Sequence, residues 1–107
     1  MNSMFNSGPK RLEALYEMPY IIVYGRVTCG RCVSFKNRLD KKGIDYISEK
    51  IDDSEVRKVL FERMKASGHT SNSFGLPVVD VNGLIYTNPD FEKIMDKFNS
   101  IPKEKDN

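Results

Sequence analysis

The chain has 107 residues, which is enough for one domain with one modest hydrophobic core. Its 17 basic and 15 acidic residues are spread along the sequence and leave a formal net charge of +2, so no nucleic-acid partner is expected. No apolar run approaches the length of a membrane span, and residues 1–19 lack the features of a signal peptide, so we expect a cytoplasmic protein without a membrane partner.

Residues 1–18 are interpreted as an N-terminal extension of a domain at residues 19–100. Met1–Pro9 contains Asn, Ser, Gly and Pro without periodicity, which predicts a mobile tail. Lys10–Met18 has apolar side chains at helical spacing, which predicts one or two turns of amphipathic helix on the edge of the domain, interpreted as an accessory helix rather than a segment that docks a partner. The side chains with this spacing are Leu12, Leu15 and Tyr16. The polar residues 101–107 are predicted to form a frayed C-terminal tail.

A buried strand followed by two cysteines is the most informative part of the sequence. The apolar, β-branched run from Tyr20 to Tyr24 predicts the strand, and Gly25 leads from it towards Cys29 and Cys32. These are the only cysteines, which excludes a multi-bridge disulfide framework and a four-thiolate zinc site within one copy. A Cys-x-x-Cys motif between a strand and a helix is typical of thioredoxin-like redox proteins. The alternatives are two buried structural thiols or half of a zinc site.

The position of the two thiols relative to the predicted helix suggests their roles. If the helix begins at or just after Cys29, its sulfur lies beside unpaired backbone N–H groups at the positive end of the helix dipole, which favours the thiolate. Cys29 is therefore predicted to be the attacking sulfur. Cys32 is one turn further on and better shielded, so it is predicted to be the resolving sulfur. Arg26 and Arg31 add positive charge, which is expected to lower the pKa of Cys29 further.

The helix after Cys29 is predicted to end at Gly43, and a strand is predicted at Tyr46–Ile51. This strand-helix-strand order implies that the second strand pairs in parallel with the first. The basic residues of the helix are interpreted as a solvated surface rather than as a docking site for an acidic reductase. These residues are Lys36, Arg38, Lys41 and Lys42.

A second helix, with a polar loop after it, completes the middle of the chain. Asp52 and Glu55 form an N-terminal capping signature, and the helix is predicted to end near Gly68. Its apolar stripe consists of Val56, Val59, Leu60 and Met64. The following loop contains His69, the only histidine, which is interpreted as a surface residue because loops are normally exposed to solvent.

The sequence of the last third of the domain predicts a β-hairpin followed by a helix. Asn82-Gly83 is a strong hairpin signal, so the strands at Val78–Val81 and Leu84–Tyr86 are predicted to be antiparallel and the sheet to be mixed. An apolar stripe then predicts a final helix, for which Asp90 or Asn88 is the candidate N-cap.

Two motifs at this separation resemble those of glutaredoxins. The first is Val-Tyr-Gly-Arg-Val-Thr-Cys-Gly-Arg-Cys at residues 23–32, and the second is Gly-Leu-Pro-Val-Val-Asp-Val-Asn-Gly at residues 75–83. The resemblance extends from Pro19 to about Ser100. It implies an α/β protein with the thioredoxin fold, in the order β-α-β-α-β-β-α with a four-stranded mixed sheet. It also implies a cis peptide bond between Leu76 and Pro77, which faces the two cysteines.

The resemblance further implies glutathione as a co-substrate. The residues expected on the side of the substrate or glutathione are Arg26, Arg31, Leu76, Pro77 and Asp90. The chain departs from the family pattern at Thr87-Asn88, where glutaredoxins usually have two glycines that let the backbone approach glutathione closely. It also has Arg31 where many glutaredoxins have an aromatic residue.

The resulting hypothesis is a monomeric dithiol-disulfide oxidoreductase without a metal site. Its substrates would be disulfide-containing or glutathionylated proteins, and glutathione or a thioredoxin reductase would regenerate the dithiol. The alternative is a [2Fe-2S] carrier, in which Cys29 from two copies and glutathione would hold the cluster, with Gly30 leaving space beside the thiol. A binding module that lost the chemistry is disfavoured because both cysteines and Pro77 are present.

Overall fold

The computed structural model describes residues 9–70 and 73–100. The tails predicted before Pro9 and after Ser100 lie outside the described residues. The predicted order of strands and helices is confirmed. The elements are β1 (Ile21–Gly25), α1 (Gly30–Lys41), β2 (Ile47–Lys50), α2 (Ser54–Ala66), β3 (Val78–Val81), β4 (Leu84–Thr87) and α3 (Phe91–Asn99). Within the described part of the chain, no helix has the length and apolar character needed to cross a membrane.

The four strands form one mixed sheet in the order β2-β1-β3-β4, as predicted. β1 is parallel to β2, with Ile22 opposite Ile47, and antiparallel to β3, with Val23 opposite Val79. β3 continues into β4 as an antiparallel hairpin. Because β1 and β3 are central and helices cover both faces, every residue of these two strands is buried.

Alternate residues of β1 enter two separate cores, as the period of two in a strand requires. Ile21 and Val23 face α1 and α3, where they pack with Leu39 and Ile94. The opposite face packs against α2 and the N-terminal segment. Its buried members are Tyr20, Ile22, Tyr24, Ile51, Leu60, Met64, Val78 and Ile85.

The ends of the helices largely match the prediction. Gly43 follows α1 with a φ of 70°, the left-handed conformation that favours glycine at this position. The N-cap of α2 is Asp53 rather than the predicted Asp52, because the Asp53 carboxylate accepts hydrogen bonds from the backbone N–H groups of Glu55 and Val56. Val59, predicted in the apolar stripe of α2, is exposed.

The predicted helix at Lys10–Met18 is wrong. This segment instead lies along the domain in an irregular conformation, with Lys10 N–H donating to Ser67 O (3.0 Å) and Leu12 N–H donating to Gly83 O (2.8 Å). These backbone hydrogen bonds to the domain satisfy polar groups that a helix would pair internally, so the contacts with the domain decide the conformation of the segment. The carbonyl of Leu12 lies so close to Gly83 that a Cβ at this turn position would collide with it.

A buried ion pair links α2 to β3. Asp80, whose side chain is 0% exposed, accepts a hydrogen bond of 2.6 Å from Arg63 Nη2 and one of 2.9 Å from Gly83 N–H. The Tyr20 hydroxyl lies 3.4 Å from the same carboxylate and donates to it. Burial raises the pKa of Asp80, and the charge of Arg63 opposes this effect.

His69 is half-buried, which corrects the prediction of a surface residue. Its backbone N–H donates to Met64 O, and its Nε2 lies 3.2 Å from Ile85 O. The imidazole therefore connects the end of α2 to β4.

Candidate active site

Cys29 is the N-cap of α1. Its backbone is extended (φ −89°, ψ 111°), and its sulfur accepts a hydrogen bond of 3.1 Å from the backbone N–H of Cys32. The thiol thus takes the place that a serine or aspartate oxygen occupies in an ordinary N-cap. Since the first N–H groups of a helix stabilise negative charge, this position favours the Cys29 thiolate.

Cys32 is fully buried on the inner side of α1, which also carries Phe35 and Leu39. The two thiols are free, and a hydrogen bond between them influences the pKa of both. The motif therefore presents one partly accessible sulfur and one shielded sulfur close behind it.

The two thiols differ in their ease of ionisation. Burial raises the pKa of Cys29, but hydrogen bonds from the Cys32 thiol and from backbone amides, together with the charge of Arg31, outweigh it and lower the pKa overall. Burial, then the hydrogen bond to Cys29, raise the pKa of Cys32 to about 11. Cys29 is therefore the thiol that ionises more easily, as expected for the sulfur assigned to attack from the sequence.

An open groove of about 380 Å³ lies between α1 and the start of α3, and Arg31, which stands between the two cysteines in the sequence, lines it. We call it the α1–α3 groove. Its lining residues are Arg31, Ser34, Phe35, Arg38, Pro77, Asn88, Pro89, Asp90 and Phe91. The peptide bond between Leu76 and Pro77 is cis, as predicted.

The family model of glutaredoxins matches residues 21–85, which is more than half of the chain. The chain belongs to the glutaredoxin family. It is therefore a redox protein of this family, with two cysteines close together.

Two solved structures share the fold of this glutaredoxin. The glutaredoxin-like protein NrdH-redoxin from Escherichia coli is 24% identical, and the match covers 78% of this chain and 99% of that one with a TM-score of 0.57. The glutaredoxin grx-1 from Archaeoglobus fulgidus is 25% identical, and the match covers 78% of this chain and 90% of that one with a TM-score of 0.57. No curated protein matches the chain.

The departure from the glutaredoxin glycine pair has a clear structural outcome. Asn88 has a φ of 44°, so it keeps a backbone conformation that a glycine adopts easily. Its N–H donates to Pro77 O at 2.7 Å, which holds the segment against the cis-proline. The Asn88 side chain packs on Gly75, where an added Cβ would lie 3.0 Å from Asn88 Cβ. Asn88 therefore has a backbone conformation that glycine also adopts, and its side chain fills the space beside Gly75.

The structure brings together only some of the site residues expected from the sequence. Arg31, Pro77 and Asp90 line the α1–α3 groove. Arg26 instead forms an ion pair with Asp52, with 3.2 Å between Nε and Oδ1, and Leu76 packs against the second core. Neither of these two lines the groove.

Arg38 is a groove residue that the sequence interpretation placed on a merely solvated surface. Its guanidinium lies 4.2 Å from the centre of the Phe91 ring and 3.4 Å from Glu92. Arg38 follows Arg31 by seven residues, which is two turns of α1, so helical spacing places both cations on one face. This seven-residue spacing is the feature of the sequence from which a shared position of Arg31 and Arg38 could have been predicted.

We expect the alkylation rate of Cys29 to show a midpoint below the ordinary thiol pKa of 9.0. Arg31→Gln should raise this midpoint because the charge of Arg31 lowers the pKa of Cys29. Arg26→Gln is the matched control and should leave it in place, since Arg26 is paired with Asp52. Rates of iodoacetamide modification against pH, measured in Cys32→Ser backgrounds, give the midpoints. Equal shifts in the two variants would contradict the assignment.

Proposed function

We propose that this glutaredoxin is a thiol-disulfide oxidoreductase. The observation that supports this most strongly is the pairing of a helix N-cap thiol of lowered pKa with a buried thiol of raised pKa. The Cys29 thiolate attacks a substrate disulfide, forms a mixed disulfide and releases one substrate thiolate. Cys32 then attacks Cys29 Sγ, which closes the Cys29–Cys32 disulfide and releases the second substrate thiolate.

The proposed substrates are disulfide-containing or glutathionylated proteins. The α1–α3 groove is open and is lined by Arg31, which stands between the two cysteines in the sequence, so it suits an extended chain. The cis-proline precedes β3, so its backbone is at a place where an extended segment could pair in strand-like fashion.

For the reductant, we favour glutathione. At neutral pH, glutathione carries two carboxylates and one ammonium group, and the groove offers the cations Arg31 and Arg38 and the carboxylate Asp90. Arginine binds carboxylates with directed hydrogen bonds. The amides at the start of α3 add a second place for an anion, because the Asp90 side chain does not cap them.

The second candidate is reduction by a thioredoxin reductase. The Asn88 side chain, packed on Gly75, fills space that the usual glycine leaves for glutathione. The NrdH-redoxin of Escherichia coli is described as having a thioredoxin-like activity profile, although it is a glutaredoxin-like protein. This candidate keeps the same chemistry at Cys29 and Cys32 and changes only the partner that restores the dithiol.

Parallel turnover assays distinguish the two reductants. NADPH consumption is followed with a glutathionylated peptide, using glutathione with glutathione reductase in one assay and thioredoxin reductase in the other. We expect turnover in the first, and we expect Asn88→Gly to increase it about tenfold, as removing a steric conflict from a binding site does. Gly can retain the positive φ of this position, so the change tests the side chain alone.

Cys29→Ser serves as the control for background reduction in both assays. Turnover with thioredoxin reductase alone, unchanged by Asn88→Gly, would end the glutathione proposal while leaving the oxidoreductase proposal intact.

A further inference from the structure

Gly25, the last residue of β1, lies against the sulfur of Cys32. A Cβ built on Gly25 would lie 2.5 Å from Cys32 Sγ and 2.9 Å from Cys32 Cβ. Real Cβ atoms do not approach other atoms so closely, so any side chain here would displace the thiol. Both residues are buried, which leaves the displaced sulfur no free space nearby.

The glycine is required here for space and not for backbone conformation. Among the described residues, the glycines with positive φ are Gly43, Gly68 and Gly83, and Gly25 is not one of them. Gly30, inside the Cys-x-x-Cys motif, has no atom within 4 Å of an added Cβ. Of the two glycines nearest to the cysteines in the sequence, the crowded one is thus Gly25, which lies outside the motif, four residues before Cys29.

We propose that Gly25 is a positioning residue for the resolving step, because its missing side chain lets the Cys32 sulfur lie on the Gly25–Arg26 backbone, behind Cys29. This inference rests on the proposed oxidoreductase function. It concerns only the second half of the reaction, in which Cys32 Sγ bonds to Cys29 Sγ and the bond from Cys29 to the substrate sulfur breaks. The substrate leaves as a thiolate, and the proton of Cys32 passes to solvent.

Two of the causes that oppose ionisation of Cys32 are removed at the stage when it must react, although its burial remains. Burial, the hydrogen bond to Cys29 and the charge of Cys29 raise the pKa of Cys32 in the reduced protein. Once Cys29 is bonded to a substrate sulfur, its charge is gone and it can no longer accept that hydrogen bond as a thiolate. The backbone amide of Arg26 and the charge of Lys36, which lower the pKa of Cys32, remain. Displacing the sulfur from the Arg26 amide would remove part of this stabilisation.

An aromatic disulfide with a coloured leaving thiol separates the two steps. Attack by Cys29 releases the first equivalent of coloured thiol, and resolution by Cys32 releases the second. In stopped-flow traces, Gly25→Ala should slow the second phase about 10- to 100-fold more than the first, as a small misplacement of a reacting atom does. Gly30→Ala is the matched control and should preserve the ratio of the two phases.

The two phases also distinguish a failure of the proposed function from a failure of the proposed role of Gly25. A wild-type protein without the first phase would refute the proposed function itself. A normal first phase, with a second phase that Gly25→Ala does not slow, would overturn the role of Gly25 alone. Equal slowing of both phases would also overturn it, because a general loss of structure affects attack and resolution alike.

A measurement on protein with an intact Gly25 tests the same contact if Gly25→Ala does not fold. In Cys29→Ser, the backbone ¹⁵N resonance of Arg26 should titrate together with the alkylation rate of Cys32, because the amide faces that sulfur. The amide of Gly43, at the far end of α1, is the control and should not move. An Arg26 resonance that stays constant through the Cys32 transition would overturn the proposal.

Discussion

Cys29→Ser is expected to lower the rate of disulfide reduction to that of the uncatalysed reaction in buffer. Cys32→Ser is instead expected to accumulate a mixed disulfide on Cys29. The first change removes the sulfur that caps α1 and has the lowered pKa. The second leaves this nucleophile in place and removes the buried sulfur that would release the substrate. The two variants should thus stop the reaction at different stages.

Intact mass spectrometry after mixing each variant with oxidised glutathione measures these outcomes directly. Cys32→Ser should gain the mass of one glutathione, located on Cys29 by peptide mapping, and Cys29→Ser should gain none on the same timescale. Cys32 remains in Cys29→Ser, so this variant also shows whether the buried thiol reacts by itself. A glutathione adduct on Cys32 would reverse the assigned roles.

Arg63→Met is expected to lower the free energy of unfolding by about 3–5 kcal/mol at neutral pH, the usual cost of breaking a buried ion pair. Asp80 is fully buried, and Arg63 is its cationic partner at 2.6 Å. Without that partner, the Asp80 carboxylate must either stay charged in an apolar core or take up a proton. Urea unfolding followed by circular dichroism gives the loss.

The sign of the pH dependence follows from the pKa of Asp80. Burial already raises this pKa above its ordinary 3.8, and Arg63 is the largest opposing influence, so Arg63→Met should raise it further. A raised pKa in the folded state means that the native protein holds the proton more tightly than the unfolded chain. The stability contributed by protonation of Asp80 is therefore complete below the pKa of Asp80 in the unfolded chain. It is lost as the pH rises through the raised pKa of Asp80 in the folded protein. The loss in the free energy of unfolding caused by Arg63→Met should therefore be smaller at acid pH than at neutral pH.

Two further variants serve as controls for this prediction. Asp80→Asn in the Arg63→Met background removes the unpaired charge and keeps an acceptor for Gly83 N–H, so it should recover most of the lost stability and abolish the added pH dependence. Glu92→Gln breaks the exposed pair with Arg38, whose side chains are 53% and 78% exposed, and should cost at most about 1 kcal/mol. Equal losses in Arg63→Met and Glu92→Gln would contradict the buried-pair argument.

Some features could be predicted because their signals are local. The start of α1 at the motif follows from Cys29 and the three residues after it, within one turn of helix. The turn at Asn82-Gly83 needs two consecutive positive φ angles, 54° and 93° here, which this residue pair adopts at low cost. The cis bond before Pro77 came from the family resemblance instead, since the local sequence has no signal for it.

Other features could not be predicted because they depend on what a segment packs against. The spacing of Leu12, Leu15 and Tyr16 was compatible with a helix, yet the hydrogen bonds of this segment go to Ser67 and Gly83, far away in sequence. Arg63 and Asp80 each look like ordinary polar residues in the sequence. Only the packing of α2 against the sheet brings them into contact.

The sequence by itself determined the order of strands and helices, the mixed sheet, the hairpin and the position of Cys29 and Cys32 at the start of α1. These follow from short-range periodicity, turn chemistry and the helix start, which neighbouring residues control. Only the tertiary structure decided that Arg31 and Arg38 share a groove with Asp90, that Arg26 pairs with Asp52 and that Gly25 makes room for Cys32. These relationships depend on the distances between elements that are separated in the chain, and those distances are set by how the helices pack on the sheet.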